Sequence, residues 1–361
     1  MSWWWLYKFL QIKRQRMSKK KVMVGMSGGI DSSVTAYMLQ NEGYEVEGIY
    51  LKLHNRTDGY HEKNLAYIED VAKFLNIKYH ILDLTNEFSK EVYDYFVDSY
   101  LTGTTPNPCV KCNKQIKFGA MLDFAKQHGA SYLATGHYAK TDGKFFYEAD
   151  DKTKDQSYFL SQVDKEALKY MMFPLSTYKK EDIVKFGAKL DVAYKKITEK
   201  SESQEICFVE TVYTDVVKKH ANIDQEGDVL DENENIVGKH KGFAHYTIGK
   251  RRGFTVHGAH EPHFVTKLNP KDNTIVVGKK EALEVNEVIG NNLNMFIDDS
   301  KFSCNVKLRY RSVSTPCEVE IKDEKVYISL KEPVFGVAIG QLAVFYDKEK
   351  VIGSAWIEST K

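Results

Sequence analysis

Short apolar runs alternate with longer amphipathic stretches through the first half of the chain. The pattern predicts a buried strand over Val22–Met26, a helix over Ser33–Glu42 stopped by Gly43, and a second strand over Val46–Leu51. A helix over His61–Leu75, a strand over Tyr79–Leu82 and a helix over Asn86–Leu101 follow, the last with Phe88, Val92, Tyr95, Phe96 and Tyr100 on one stripe. A Gly/Thr/Pro/Asn loop covers 103–108, Phe118–Gln127 reads as helix and Tyr132–Thr135 as a fourth strand. Strands separated by helices predict an α/β fold with a doubly wound parallel sheet. Ligands of such a sheet gather at the carboxyl ends of strands, where the Ser27 loop, Leu51 and Gly136-His137 would lie.

Beyond about residue 210 the texture becomes β-rich and turn-punctuated, in Asp228–Val237, Phe264–Val277, Val306–Arg311 and Cys317–Leu330. Asn269-Pro270-Lys271-Asp272-Asn273 between apolar runs is a hairpin signal. With 361 residues, more than one domain is expected. We divide the chain into an N-terminal extension (1–18), a catalytic α/β domain (19–209), a small mixed α/β domain (210–284) and a C-terminal β-barrel-like domain (285–361).

The extension is apolar at Trp3-Trp4-Trp5-Leu6-Tyr7 and strongly basic from Lys8 to Lys21. A secretory signal would carry its charges before the apolar run, so the order is wrong for one, and Met17 reads as the natural start. A net charge of +1 supplies no global field for nucleic acid, so RNA binding requires local patches. No apolar run reaches the length of a membrane span, and a cytoplasmic monomer is expected. Five cysteines (Cys109, Cys112, Cys207, Cys304 and Cys317) are too few for a disulfide scaffold of this length. Cys304 and Cys317 are assigned to β-domain packing.

Gly25-Met26-Ser27-Gly28-Gly29-Ile30-Asp31-Ser32 joins the first strand to its helix. Adjacent glycines allow a sharp turn and close approach to a ligand, and the N–H groups that follow face a common anion. Ser27, Ser32 and Ser33 add hydroxyls, and Asp31 is a candidate to help hold Mg²⁺ beside phosphates. No Gly-Lys pair is followed by Ser or Thr, which excludes a Walker A loop. The segment resembles the Ser-Gly-Gly-x-Asp-Ser loop of the ATP pyrophosphatases, which cleave ATP between its α and β phosphates.

Three further segments are unusually polar. In Thr105-Pro106-Asn107-Pro108-Cys109-Val110-Lys111-Cys112-Asn113-Lys114, two prolines precede a thiol pair. A nearby helix N-terminus and flanking lysines should ease thiol ionisation. With a single Cys-x-x-Cys, zinc at finger spacing is not indicated. Cys207, between Ile206 and Phe208 in Ser201–Val209, reads by itself as a buried small hydrophobe. Lys154-Asp155-Gln156, set against an aromatic strand Ser157–Leu160, reads equally as a surface turn or a ligand contact. Lys239, Lys241, Lys250, Arg251 and Arg252, interleaved with Phe243, His245 and Tyr246, suit an RNA backbone and exposed bases, or else form a solvated basic face.

In order and spacing, Gly25–Ser32, Thr105–Asn113, Ala134–Tyr138, Lys154–Leu160, Ile206–Phe208, Tyr246–Gly253 and Arg309–Arg311 resemble the tRNA-specific 2-thiouridylases, from about Lys20 to the C-terminus. The resemblance implies a PP-loop, adenine-nucleotide α-hydrolase-like fold and ATP-dependent sulfur transfer to C2 of the wobble uridine of tRNA, with ATP and Mg²⁺. It implies that Gly25, Met26, Ser27, Gly28, Gly29, Ile30, Asp31, Ser32, Leu51 and Gly136 hold ATP, and that Cys207 carries a persulfide with Cys112 as second catalytic thiol. Asn107, Pro108 and Cys109 would face the target base. His137, Lys154, Asp155, Gln156, Arg309, Tyr310 and Gln341 would touch tRNA. A sulfur-donor or relay protein, or sulfide, would supply the sulfur. Many members carry Asp where this chain has Cys109, so a carboxylate role there does not transfer. The third thiolate raises an alternative, a [4Fe–4S] cluster on Cys109, Cys112 and Cys207. More distant alternatives are another ATP-pyrophosphatase ligase and a non-catalytic RNA-binding protein.

Overall fold

The computed structural model describes residues 20–56, 58–198, 206–258 and 260–361, so the N-terminal extension and residues 201–205 of the Cys207 segment lie outside the described residues. Strands β1 (Lys21–Gly25), β2 (Glu45–Lys52), β3 (Tyr79–Asp83) and β4 (Tyr132–Ala134) follow the apolar runs. Val22, Met23 and Val24 have no exposed surface, as a central strand covered on both faces requires. Two short strands, β5 (Lys140–Thr141) and β6 (Phe146–Tyr147), precede β7 (Met171–Met172), which the apolar pattern did not single out. The sheet order is β3-β2-β1-β4-β7, parallel throughout. Chain direction across the sheet reverses between β1 and β4, which opens a crevice at their carboxyl ends.

Helices pack on both faces. Ile30–Asn41 begins earlier than the periodicity predicted, directly after the two glycines. The connection Gly28 takes φ +72, and a Cβ there would lie 2.9 Å from the Asn64 carbonyl oxygen, so glycine is required on both counts. Tyr60–Leu75 ends on left-handed Asn76. Residues 85–101 are continuously helical.

Residues 108–127 are also continuously helical, and here the prediction needs correcting. Pro108 sits in the first turn, where its missing N–H is no loss and its fixed φ suits a helix. The thiol pair is therefore inside the helix rather than ahead of it, and Cys112–Ala120 is wound in wider π-type turns. Ser157–Leu160 is likewise a short helix, not the aromatic strand expected.

A second sheet, in the order β10-β11-β8-β9, contains β8 (Gly227–Leu230), β9 (Ile236–His240), β10 (Phe264–Asn269) and β11 (Thr274–Gly278). β10 and β11 form the hairpin signalled by Asn269–Asn273. The third sheet is antiparallel, with β12 (Glu284–Met295), β13 (Lys301–Lys307), β14 (Thr315–Lys322), β15 (Lys325–Phe335), β16 (Leu342–Asp347) and β17 (Lys350–Thr360). It runs β12-β15-β14-β13-β16-β17, and pairing of β12 with β17 closes it into a barrel. The hairpin β5–β6, from the first half of the chain, adds to β17 outside the barrel.

That addition ties the first unit to the last. Phe296, Leu342, Val344, Tyr346 and Val351 of the barrel share one buried cluster with Met121, Leu133, Phe146 and Tyr158. The Tyr158 hydroxyl donates to the Leu342 carbonyl at 3.0 Å. The barrel's own core includes Cys317, whose register partner is Cys304, in keeping with the packing role expected for both. The five cysteines are free thiols. Among the described residues, no helix is long and apolar enough to cross a membrane.

Candidate functional site

A cleft of about 410 Å³ opens at the carboxyl ends of the parallel strands. Its walls include Ser27 and Asp31 from the glycine turn, Leu51 from β2, and Gly136 and His137 beyond β4. Cys109, Cys112 and Cys207 line the same cleft, although residue 207 lies far along the chain from the other two.

The anion end is built by the turn between β1 and its helix. Ser32 Oγ donates to the Gly29 carbonyl at 3.0 Å and accepts from the Ser27 N–H at 3.1 Å, which draws the turn closed. Gly136 lets β4 approach this helix start: a Cβ would lie 2.9 Å from Asp31 Cβ and from the Ser32 nitrogen. Asp31, expected to help hold Mg²⁺, stands at this helix start and already has two partners. Its carboxylate accepts from the Tyr138 hydroxyl at 2.8 Å and pairs with the Lys180 ammonium at 2.6 Å.

The thiols occupy the other end. Cys112 is buried, whereas Cys109 and Cys207 keep exposed surface at the cleft, so Cys207 is not the buried small hydrophobe expected; partial desolvation within the cleft raises all three thiols, Cys112 to about 11 and Cys207 to about 12, with Lys117 opposing each shift. The two lysines that flank the thiols in sequence, expected to ease their ionisation, are engaged elsewhere. Lys111 lies over the Tyr95 and Trp356 rings, 5.2 and 5.5 Å from their centroids, and Lys114 pairs with Asp164 at 3.4 Å. Desolvation outweighs the one lysine that faces the sulfurs.

Lys117 was missed in the sequence, and the missing signal was Pro108. Once the helix is started there, Cys109, Cys112, Asn113 and Lys117 fall on one face at helical spacing. His54, Tyr60 and His61 were missed as well, and all three line the cleft. The Tyr50 hydroxyl is 2.7 Å from His61 Nδ1, and His61 Nε2 is 2.6 Å from the His54 carbonyl. A carbonyl only accepts, so His61 carries a proton on Nε2. Burial brings His54 down to about 4, so it is uncharged near neutrality. Nearby, Arg56 forks onto Asp58, reaches Glu210 at 3.4 Å and stacks on Tyr60 at 4.7 Å, which ties the segment after Cys207 to the His54–Tyr60 side of the cleft.

The other expected residues divide. Pro108 and Gln156 line the cleft, and Gln156 Oε1 accepts from the Tyr138 N–H at 3.0 Å. Asn107 is buried just ahead of the helix, its N–H donating to the Tyr95 hydroxyl at 3.2 Å. Asp155 is turned inward: its carboxylate accepts from the Ala149 N–H at 2.9 Å and the Ser157 hydroxyl at 2.8 Å. Lys154 is half-buried. On the barrel, the Tyr310 ring lies 4.4 Å from that of Phe159, a residue of the cleft, and exposed Arg309 donates to the Phe335 carbonyl at 3.1 Å. The Gln341 amide donates to the Thr105 and Pro106 carbonyls.

In the middle unit the aromatic residues expected to meet exposed bases are turned inward, while part of the basic set stays outside. Phe243 and Tyr246 pack into the core of that unit, and His245 is buried against Asp224. Lys239 pairs with Asp228 and Lys250 donates to the His245 carbonyl at 2.6 Å, which leaves Lys241, Arg251 and Arg252 outermost. Alternation of basic and aromatic residues had a simpler cause, the inside and outside of a small β-rich unit.

Residues 20–211 match the family described as the tRNA methyl transferase HUP domain. Residues 214–279 match the tRNA methyl transferase PRC-barrel domain, and 285–357 the aminomethyltransferase beta-barrel domain. The chain is 94% identical over 345 residues to tRNA-specific 2-thiouridylase MnmA 1 of Aliarcobacter butzleri, covering 96% of this chain and 100% of that one. It is 54% identical over 339 residues to tRNA-specific 2-thiouridylase MnmA of Sulfurimonas denitrificans, covering 94% of this chain and 99% of that one. To the protein of the same name from Campylobacter jejuni (strain RM1221) it is 55% identical over 339 residues, covering 94% and 100%.

Proposed function

The chain belongs to the tRNA-specific 2-thiouridylase family, and from that premise we propose that it is an ATP-dependent tRNA-uridine 2-sulfurtransferase acting at C2 of the wobble uridine. The observation that carries the proposal is the convergence of the glycine turn and three free thiols on one cleft. The C2 carbonyl of uracil is a poor electrophile with a poor leaving group. Adenylation of its oxygen, with release of pyrophosphate, turns that oxygen into part of AMP, which leaves readily. The turn amides and the start of helix Ile30–Asn41 suit the phosphates.

Sulfur arrives as a persulfide. A donor R–S–SH transfers its outer sulfur to Cys207, releasing R–SH and leaving Cys207–S–SH. The terminal sulfur attacks C2, and AMP departs. The Cys112 thiolate then attacks the Cys207 sulfur, breaking the S–S bond and releasing 2-thiouridine while a Cys112–Cys207 disulfide forms; a dithiol reductant resets the pair. The target base must leave the anticodon stack to enter the cleft. Asn107, Pro108 and Cys109 are assigned to meet it, and His137, Lys154, Gln156, Arg309 and Tyr310 to hold the surrounding RNA. Asp155 serves that region from within, through its bonds to Ala149 and Ser157.

Two cofactor readings fit less well. Because Asp31 is engaged by Lys180 and Tyr138, no step is derived through Mg²⁺. Among the described residues, no group of three or more His, Cys, Asp or Glu side chains is gathered closely enough to hold a metal ion, so no step is derived through a [4Fe–4S] cluster either.

The test is an anaerobic assay with ATP, Mg²⁺, a persulfide donor or sulfide, and unmodified tRNA, scoring 2-thiouridine and pyrophosphate. Wild type, Cys207→Ser and Cys109→Ser are compared, with iron and absorbance near about 400 nm read on each preparation. Iron-free activity that is lost in Cys207→Ser and retained in Cys109→Ser supports the persulfide route. Activity that tracks iron and fails in both variants overturns it.

A further inference from the structure

Two of the five thiols stand outside the cleft. Cys304 on β13 and Cys317 on β14 lie directly opposite each other in the antiparallel register, and both are free. Their Sγ atoms are 3.6 Å apart, and either can donate to the other. Cys317 is buried in the barrel core, whereas Cys304, packed against the same core, keeps partial exposure. The hydrogen bond with Cys317 and then burial raise the Cys304 thiol far above its ordinary value. The pair is therefore a slow nucleophile near neutrality, and whether it oxidises is best read at equilibrium.

The backbone already has the spacing of a cross-link. Opposed residues of an antiparallel pair hold their Cα atoms about 4.5–5.5 Å apart, within the roughly 4.4–6.8 Å that a disulfide spans. Bond formation brings the sulfurs from 3.6 Å to about 2.05 Å, which side-chain rotation supplies without a change of register. That register is held on every side. Ser303 donates to Glu318 at 2.8 Å and Lys301 pairs with Glu320 at 2.9 Å. Beyond them β13 pairs with β16 through Asn305–Lys307, and β14 with β15, where Cys317 faces Leu330.

Towards the loop the ladder is thinner. Two register pairs remain past the thiols, Asn305 with Pro316 and Val306 with Thr315, and Pro316 has no N–H to give. The loop that follows carries Arg309 and Tyr310, and its Val313 is 87% exposed.

We propose that Cys304 and Cys317 form a second redox-active dithiol site, whose substrate is a low-molecular-weight disulfide, and that its closure staples the base of the hairpin bearing Arg309 and Tyr310. The Cys304 thiolate attacks one sulfur of R–S–S–R; that S–S bond breaks, RS⁻ leaves and takes up a proton, and Cys304–S–S–R forms. The Cys317 thiolate then attacks the Cys304 sulfur and releases the second RS⁻, likewise protonated. Two protein thiols are oxidised to one disulfide while R–S–S–R is reduced to two R–SH. Closure does not depend on the sulfur-transfer reading, since no step of that reaction makes or consumes this bond.

The experiment uses the full chain carrying Cys109→Ser, Cys112→Ser and Cys207→Ser, so that the barrel thiols alone can react, beside the same chain with Cys304→Ser added. Each is held in glutathione buffers of rising disulfide-to-thiol ratio at mildly alkaline pH until the products are constant. It is then quenched, alkylated and mapped without reduction. The expected result is an intrachain link between the Cys304 and Cys317 peptides, reversed by dithiothreitol. Amide exchange over 305–316 should slow by about threefold or more in the linked form, and the Cys304→Ser chain should show neither effect. Thiols that stay fully alkylated throughout, a glutathione adduct on Cys304 that never resolves, or links between two chains overturn the site. A link that leaves exchange unchanged overturns the staple. Should the triple variant not fold, the same linked peptide is sought in wild type, where its mass separates it from any link among the cleft thiols.

Discussion

The Lys117 ammonium stands 3.4 Å from His137 Nε2, while His137 Nδ1 lies 2.7 Å from the Thr135 hydroxyl. An ammonium only donates, so Nε2 accepts and the imidazole proton sits on Nδ1, directed at Thr135. Burial and the adjacent ammonium both hold His137 well below its ordinary value, so it is neutral. Lys117 is left as the cation that opposes the upward shift of all three cleft thiols.

Replacing Lys117 by Met should therefore make the thiols harder to ionise. We expect alkylation of Cys112 and Cys207 at pH 8 to slow by about threefold to tenfold, with the thiolation rate falling in step. Mass-spectrometric rates on single-cysteine peptides from the folded protein provide the check. Unchanged alkylation would remove Lys117 from this role.

The pH profile follows from the same shifts. With Cys112 near 11 and Cys207 near 12, only a small thiolate fraction exists at neutral pH. In the free protein, alkylation of either thiol should climb about tenfold per pH unit between pH 7 and 9, without a plateau. A plateau near pH 8 would mean that the thiols titrate as ordinary exposed cysteines.

At Gly136 the neighbours of an added Cβ are backbone and Cβ atoms at 2.9 Å, none of them the far end of a flexible chain. Gly136→Ala must displace the start of helix Ile30–Asn41 or the end of β4. A destabilisation of roughly 1–3 kcal/mol is expected. A rise in KM for ATP should accompany it, read from pyrophosphate release against denaturant unfolding.

Asp155 offers a contrast between binding and stability. Desolvation raises its carboxyl above the ordinary value despite bonds from Ala149 and Ser157. A carboxyl raised on folding takes up its proton at higher pH in the native state than in the unfolded chain. Its contribution therefore becomes more favourable as pH falls through the folded value, levels off below the unfolded value, and is lost again as pH rises. Asp155→Asn keeps an acceptor for the Ala149 and Ser157 N–H groups while abolishing that dependence. Its tRNA affinity should match wild type, and its unfolding free energy should lose the acid-side gain. Weakened tRNA binding would return Asp155 to the RNA surface.

Much of the site was legible because its parts are local. The glycine turn must follow a buried strand and open a helix, and three adjacent residue types in order carry that requirement. Gly136 and Leu51 were legible for the same reason, as the ends of two apolar runs. What failed was any inference that depended on which face a side chain takes. Lys111 and Lys114, next to the thiols in sequence, point to aromatic rings and to Asp164, while Lys117 reaches the sulfurs from a turn away. Phe243 and Tyr246 read as stacking platforms and proved to be core.

By itself, then, the sequence determined the order of strands and helices, the phosphate-binding turn and the residue types of a sulfur-transfer site, since backbone sterics and hydrophobic periodicity act within a few residues. Only the tertiary structure decided that Cys207 lines the same cleft as Cys112 and that a barrel glutamine donates to the loop before Cys109. It also decided that Cys112 is buried while Cys109 and Cys207 keep exposed surface at the cleft. Desolvation and long-range hydrogen bonds depend on what the whole fold brings together, and no local pattern along the chain records them.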